Sequence, residues 1–195
     1  MKATLPPFRR LLPLTLCAVA AIAGLVAWLS FGSAPSAFPG IGGPFSLTAQ
    51  NGKTVTEKTL EGRPTLMFFG YTHCPDICPA TLFQVSELLR AMGSEPGANA
   101  VFVTVDPERD TPAVMADYLS SFDPHIIGLT GDREAVDAML KGYRVYAKKV
   151  PGKDGDYTMD HSALVYLMDK SGRFAASFNL DRPQAENIAQ LRKMM

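Results

Sequence analysis

Thr65-Leu66-Met67-Phe68-Phe69-Gly70-Tyr71-Thr72-His73-Cys74-Pro75-Asp76-Ile77-Cys78-Pro79 is the stretch on which the reading of this chain turns. Its first six residues form an apolar run too short for a helix, which reads as a buried strand. After Cys78, the apolar residues Leu82, Val85, Leu88, Leu89 and Met92 recur at helical spacing until Gly93 ends the pattern. Two thiols therefore stand where a strand gives way to a helix. Cys74 and Cys78 are at i and i+4, so a helix beginning after Pro75 directs both sulfurs to one face, where they can share a metal ion or close a disulfide. The first turn of a helix also carries partial positive charge and unpaired N–H groups, which predicts a lowered thiol pKa and available thiolate.

Outward from this stretch, strands and helices alternate. Upstream, Phe45-Ser46-Leu47-Thr48 and Lys53-Thr54-Val55-Thr56 flank Gln50-Asn51-Gly52, and the Asn-Gly pair marks a hairpin turn. Downstream, Ala100 to Val105 reads as a second buried strand, closed by Asp106-Pro107. Thr111-Pro112 opens a helix to about Phe122, with Thr111 as N-cap. Ile126 to Leu129 is a short strand, and Asp132 caps a helix carrying Val136, Met139 and Leu140. Gly152-Lys153-Asp154-Gly155-Asp156 is a polar turn. Ser162 to Met168 reads as an apolar strand with His161 at its polar start. Arg173 to Asn179 returns as the second arm of a hairpin, and Arg182-Pro183 opens a last helix with Ile188 and Leu191. There is no internal repeat. A β-α-β core followed by a hairpin and a helix predicts an α/β fold, a thioredoxin-like sandwich with an N-terminal β-hairpin. Its crevice lies beyond the carboxyl ends of the strands, where Cys74 falls.

At 195 residues the chain has room for one ordinary domain plus an appendage. Lys2, Arg9 and Arg10 precede an uncharged apolar run from Leu11 to Phe31. At about 1.5 Å per residue, this run as a single transmembrane helix crosses a hydrocarbon core of roughly 30 Å. Positive residues crowd its N-terminal side and no charge follows until Lys53, so residues 1–10 are expected to be cytoplasmic and 11–31 to be the anchor. Residues 32–43, rich in Gly, Pro, Ser and Ala, read as a flexible tether, and 44–195 as the working domain in the periplasm. A bacterial inner membrane is expected rather than a mitochondrial one, because little precedes the span that would serve as a presequence. A leader cleaved near Ala34-Pro35-Ser36 is the competing reading, against which stands a signal core's usual length of about 7 to 15 residues. Leu14-Thr15-Leu16-Cys17 fits a lipidation site poorly, since bulky Leu16 precedes the cysteine and the apolar run continues beyond it.

Lys and Arg number 19, as do Asp and Glu, and they are scattered. No basic stripe with interleaved aromatics appears, which excludes nucleic acid as a principal partner. With Cys17 in the apolar run, the exported part keeps two thiols. A disulfide across three residues closes a tiny loop and removes little unfolded-state entropy, so reactivity or metal binding explains the pair better than a structural bridge.

Three histidines are available. His125, in Asp123-Pro124-His125, reads as a surface residue, and His73, in a loop leaving a strand, as exposed. His161 sits between Asp160 and Ser162 at the edge of apolar sequence; its alternative to a ligand role is a core histidine bonded to backbone. Two thiolates and one imidazole are a soft, low-coordinate donor set, in which thiolate favours Cu(I) and imidazole also accommodates Cu(II). A structural zinc site would want a fourth protein ligand. Met159 is a candidate axial sulfur or a packing residue, Asp160 a candidate for orienting an imidazole, and Asp76 for tuning the loop.

Gly70 to Pro79, the run Val103-Thr104-Val105-Asp106-Pro107-Glu108-Arg109-Asp110-Thr111-Pro112, and Asp160-His161-Ser162 before Tyr166-Leu167-Met168-Asp169 together closely resemble the Sco/SenC family of membrane-anchored copper proteins of cytochrome c oxidase assembly. The resemblance covers essentially all of 44–195. It implies a thioredoxin-like fold and one copper ion, Cu(I) or Cu(II), on Cys74, Cys78 and His161. It also implies delivery to the binuclear copper centre of oxidase subunit II, with another periplasmic copper chaperone or a thiol reductase as further partners. The rival is a thiol-disulfide oxidoreductase that reduces the oxidase's cysteines through Cys74 and Cys78. Thioredoxin-type catalysts carry two residues between the cysteines, and the extra residue here suits a metal better. Asp106-Pro107-Glu108-Arg109-Asp110 is expected to be a solvated turn and helix cap with no direct part in metal binding.

Overall fold

The computed structural model describes residues 40–94, 97–153 and 155–195. The expected anchor at 11–31 and all but the end of the expected tether lie outside the described residues; within them, no helix is long and apolar enough to cross a membrane.

Among the described residues, nine strands and five helices follow one another in the order the sequence predicts, with one added helical turn and one insertion. β1 (Ser46–Ala49) and β2 (Thr54–Thr56) form the expected antiparallel hairpin, and α1 (Glu57–Leu60) is a single turn after it. β3 (Thr65–Gly70) is buried at every residue and leads through the cysteines into α2 (Ile77–Met92). β4 (Asn99–Thr104), α3 (Pro112–Leu119), β5 (Ile126–Thr130) and α4 (Arg133–Gly142) follow. Thr111 and Asp132 cap α3 and α4, their side chains accepting from Val114 N and Ala135 N. That satisfies amides the helix cannot bond itself. The chain closes with β8 (Val165–Met168), β9 (Phe174–Phe178) and α5 (Gln184–Met194).

Seven strands make one sheet in the order β2-β1-β5-β4-β3-β8-β9. β3, β4 and β5 are parallel, while β1 joins β5 and β8 joins β3 antiparallel. This is the expected thioredoxin-like α/β arrangement. Alternation along β3 divides its side chains between two layers. Phe68 stacks on Phe102 at 5.9 Å, with Tyr118 of α3 beyond, whereas Phe69 faces the other way onto Tyr143 at 5.8 Å. Both layers are apolar, and burying each large side chain is worth about 1.5 to 3 kcal/mol.

The insertion is a separate two-stranded sheet, β6 (Ala147–Pro151) and β7 (Tyr157–His161), folded around the predicted polar turn. Here the structure corrects the sequence reading. His161 does not start an apolar strand; it ends β7, and the next strand begins only at Val165. Helix α3 also stops at Leu119, short of Phe122, where Ser120 caps it.

Candidate metal centre

The cysteine side of the site is built by the sheet. Gly70 ends β3, its carbonyl accepting from Val105 N at 2.7 Å. A Cβ at Gly70 would stand 2.7 Å from Cys78 Sγ and 2.8 Å from the Phe102 ring, so the cysteine's seat against the sheet requires a glycine there. The chain then folds back, with Cys74 N donating to Tyr71 O at 3.3 Å, and α2 begins three residues after Cys74. In the first turn of α2, Cys78 N donates to Cys74 Sγ at 3.4 Å. A free helix N–H thus points at the first sulfur, as the strand-to-helix reading requires.

Both cysteines are free and buried, with Cys78 fully enclosed. The expectation of a lowered pKa fails for Cys78, whose burial pushes the thiol far up. Loss of solvation for the thiolate outweighs the helix terminus. Cys78 therefore keeps its proton in the metal-free protein, and a cation must displace it.

His161 arrives from β7. Its Nδ1 lies 3.0 Å from the carbonyl of Ser162. A carbonyl only accepts, so Nδ1 carries the proton and the Nε2 lone pair is free. That lone pair faces Cys78 Sγ at 3.6 Å. The ring stands edge-on to Tyr71, centroids 5.7 Å apart at 90°, and is flanked by Phe68 at 6.4 Å. Ser162 thereby does the orienting foreseen for Asp160, which is exposed on the other face of β7.

The donor atoms of Cys74, Cys78 and His161 all lie within 4.8 Å of one another. Three donors at roughly 2.0 to 2.3 Å from one ion in a trigonal plane stand about 3.7 Å apart. The constellation fits a single soft cation with shifts of about an ångström or less. The remaining histidines stand apart: His73 pairs with Thr72 Oγ1 at 3.0 Å and His125 with Asp123 at 2.7 Å, both exposed. Met159 is buried in the core, which accounts for it as packing.

The turn at 106–110 is not solvated. Asp106 and Asp110 are both fully buried. Asp110 accepts from Thr72 Oγ1 at 2.6 Å, from Thr72 N at 3.1 Å and from Thr104 Oγ1 at 2.6 Å. Burial raises its pKa, and these three donors oppose the rise. Asp106 takes the Arg109 guanidinium and the Tyr157 hydroxyl. Glu108, by contrast, is exposed and meets Lys149. The charges were legible in the sequence; their partners, 38 and 51 residues away, were not. Tyr157 gave no signal at all.

A family model described as SCO1/SenC matches residues 33–195. Among curated relatives, the human "Protein SCO1 homolog, mitochondrial" is 40% identical over 157 residues, covering 78% of this chain and 52% of its own length. An Arabidopsis thaliana homologue is 45% identical over 136 residues, 69% of this chain and 41% of its own. The chain thus spans about half the length of these relatives. Among solved structures, Bradyrhizobium japonicum ScoI with copper bound is 63% identical, with a TM-score of 0.78, covering 80% of this chain and 99% of that one. Copper-bound yeast Sco1 is 38% identical, with a TM-score of 0.72, covering 80% and 88%.

Proposed function

Because the chain belongs to the SCO1/SenC family, we propose that it is a membrane-anchored copper chaperone of cytochrome c oxidase assembly, carrying one copper ion on Cys74, Cys78 and His161. The observation that carries this reading is the convergence of two sulfurs with an imidazole whose Nε2 lone pair is turned toward them. Copper-bound relatives of similar sequence support the choice of metal. Two thiolates and an imidazole suit Cu(I) and tolerate Cu(II). Residues 1–10 are cytoplasmic in this account, 11–31 span the inner membrane, 32–43 form the tether, and 44–195 work in the periplasm.

Copper is cargo, and its receiver is the binuclear copper centre of oxidase subunit II. Loading releases the thiol protons, and displacing the strongly held proton of Cys78 is part of its cost. Delivery runs by ligand exchange, the receiver's thiols replacing these donors in turn. His161, half-buried and on the hairpin, is the donor nearest solvent and leaves first. Exchange of the cysteine pair with an external disulfide, which is reduced to two thiols as the Cys74–Cys78 bond forms, removes both sulfurs and releases the ion. In the reductase rival Cys74 would be the attacking thiol and Cys78 the resolving one, because a buried thiol held in its protonated form is a poor attacking nucleophile.

Anaerobic titration of the reduced full chain with Cu(I), under competition from a chelator, tests this. The parent takes up one equivalent, and His161→Ala loses about 10- to 100-fold or more in affinity while its thiols still exchange with a small disulfide. Parent-like affinity in His161→Ala would overturn the ligand assignment and leave thiol exchange as the function.

A further inference from the structure

The two arms of the donor set belong to different sheets, yet one five-residue turn is bonded to both. The turn is closed on itself by Arg109 N and Asp110 N, which donate to Asp106 O at 3.2 and 3.0 Å. It is fixed to the main sheet by Asp106 N on Thr104 Oγ1 at 2.9 Å and by Thr130 Oγ1 on Asp110 O at 2.6 Å. From one end, the Asp110 carboxylate holds the backbone and hydroxyl of Thr72, two residues before Cys74. From the other, Arg109 Nη1 donates to the carbonyl of Tyr157 at 3.0 Å, four residues before His161. The guanidinium lies over the Tyr157 ring, 3.7 Å from its centroid, and the Tyr157 hydroxyl donates to Asp106 at 3.0 Å. Tyr157, Met159 and His161 alternate onto one face of β7, so anchoring Tyr157 sets where His161 falls.

We propose that the turn 106–110 is a spacer that fixes the sulfur-to-imidazole distance, with Asp110 the positioning residue for the cysteine arm and Arg109 the positioning residue for the histidine arm. The inference rests on the three-donor reading above. Neither residue touches the ion. Arg109 acts through β7, so its contribution to metal binding exists only while His161 is a ligand.

A double-mutant cycle on the reduced full chain tests this. Cu(I) affinity is measured for the parent, Arg109→Ala, Tyr157→Phe, His161→Ala and the two double variants. Nitrogen coupling in the Cu(II) EPR spectrum is recorded for each, and amide exchange of β7 is measured without metal. Arg109→Ala is expected to lose about tenfold in affinity, as removal of a ligand-orienting partner does, with weakened nitrogen coupling and faster β7 exchange. Tyr157→Phe gives a smaller loss of the same kind. In the His161→Ala background, neither change alters affinity by more than about twofold. Equal losses in both backgrounds would reduce the turn to a general stabiliser, and no loss from either variant would remove it from the site; both overturn the proposal. Where Arg109→Ala does not fold, the Tyr157→Phe pair makes the same comparison with the same overturning result. Parent-like affinity in His161→Ala alone would instead sink the ligand reading, and the spacer with it.

Discussion

The cysteine arm and the histidine arm reach the same point by opposite means. Cys74 and Cys78 sit in the loop that leaves a fully buried strand and in the first turn of the 16-residue helix that follows, within the apolar core. His161 ends a hairpin whose first strand, Ala147-Lys148-Lys149-Val150-Pro151, is almost wholly exposed. Packing holds most of the first arm, with Asp110 pinning its loop at Thr72, whereas hydrogen bonds and ion pairs from the turn at 106–110 hold much of the second. A core-packed arm has discrete, stiff positions, while an arm held by a few polar contacts opens at lower free energy. A cargo site profits from the contrast: two donors keep the ion, and the third yields first.

This asymmetry is sharpened most by Gly70→Ala. The added methyl collides with Cys78 Sγ and the Phe102 ring, so the variant should lose about 1 to 3 kcal/mol by denaturant unfolding and move the sulfurs as well. Unchanged stability would mean that the cysteine arm is more pliant than its packing implies.

A smaller effect is expected from pH. The Asp110 pKa is raised in the folded chain, so the folded state holds its proton to higher pH than the unfolded state does. Its contribution to stability is complete below the ordinary carboxylate pKa and is lost as pH rises through the raised value. The parent should therefore lose stability relative to Asp110→Asn as pH rises across that window. A parent that gains on the variant as pH rises would contradict the burial that raises the pKa. The least effect on folding is expected from His161→Ala, under about 1 kcal/mol for a half-buried surface-hairpin residue, even though it removes a ligand.

The same contrast explains what the sequence discloses. Thr65–Gly70 and the α2 repeat are apolar and periodic, so the cysteine arm is readable from local pattern alone. The hairpin bearing His161 shows that pattern only in the five residues of β7: one face of β6 is no more apolar than the other, and its pairing comes from main-chain bonds that any sequence can make. Asp106 and Asp110 look solvated because charge is a local property, whereas their burial is decided by Thr72 and Tyr157, far along the chain. Cys78 misleads in the same way. The helix terminus that favours thiolate is local, and the core that suppresses it is not.

X-ray absorption at the copper edge of the reduced, Cu(I)-loaded full chain tests the central claim most directly. Two sulfur scatterers and one nitrogen at about 2.0 to 2.3 Å, with the nitrogen lost in His161→Ala, is the predicted result. A first shell of sulfur alone, or a nitrogen that survives removal of His161, would contradict it.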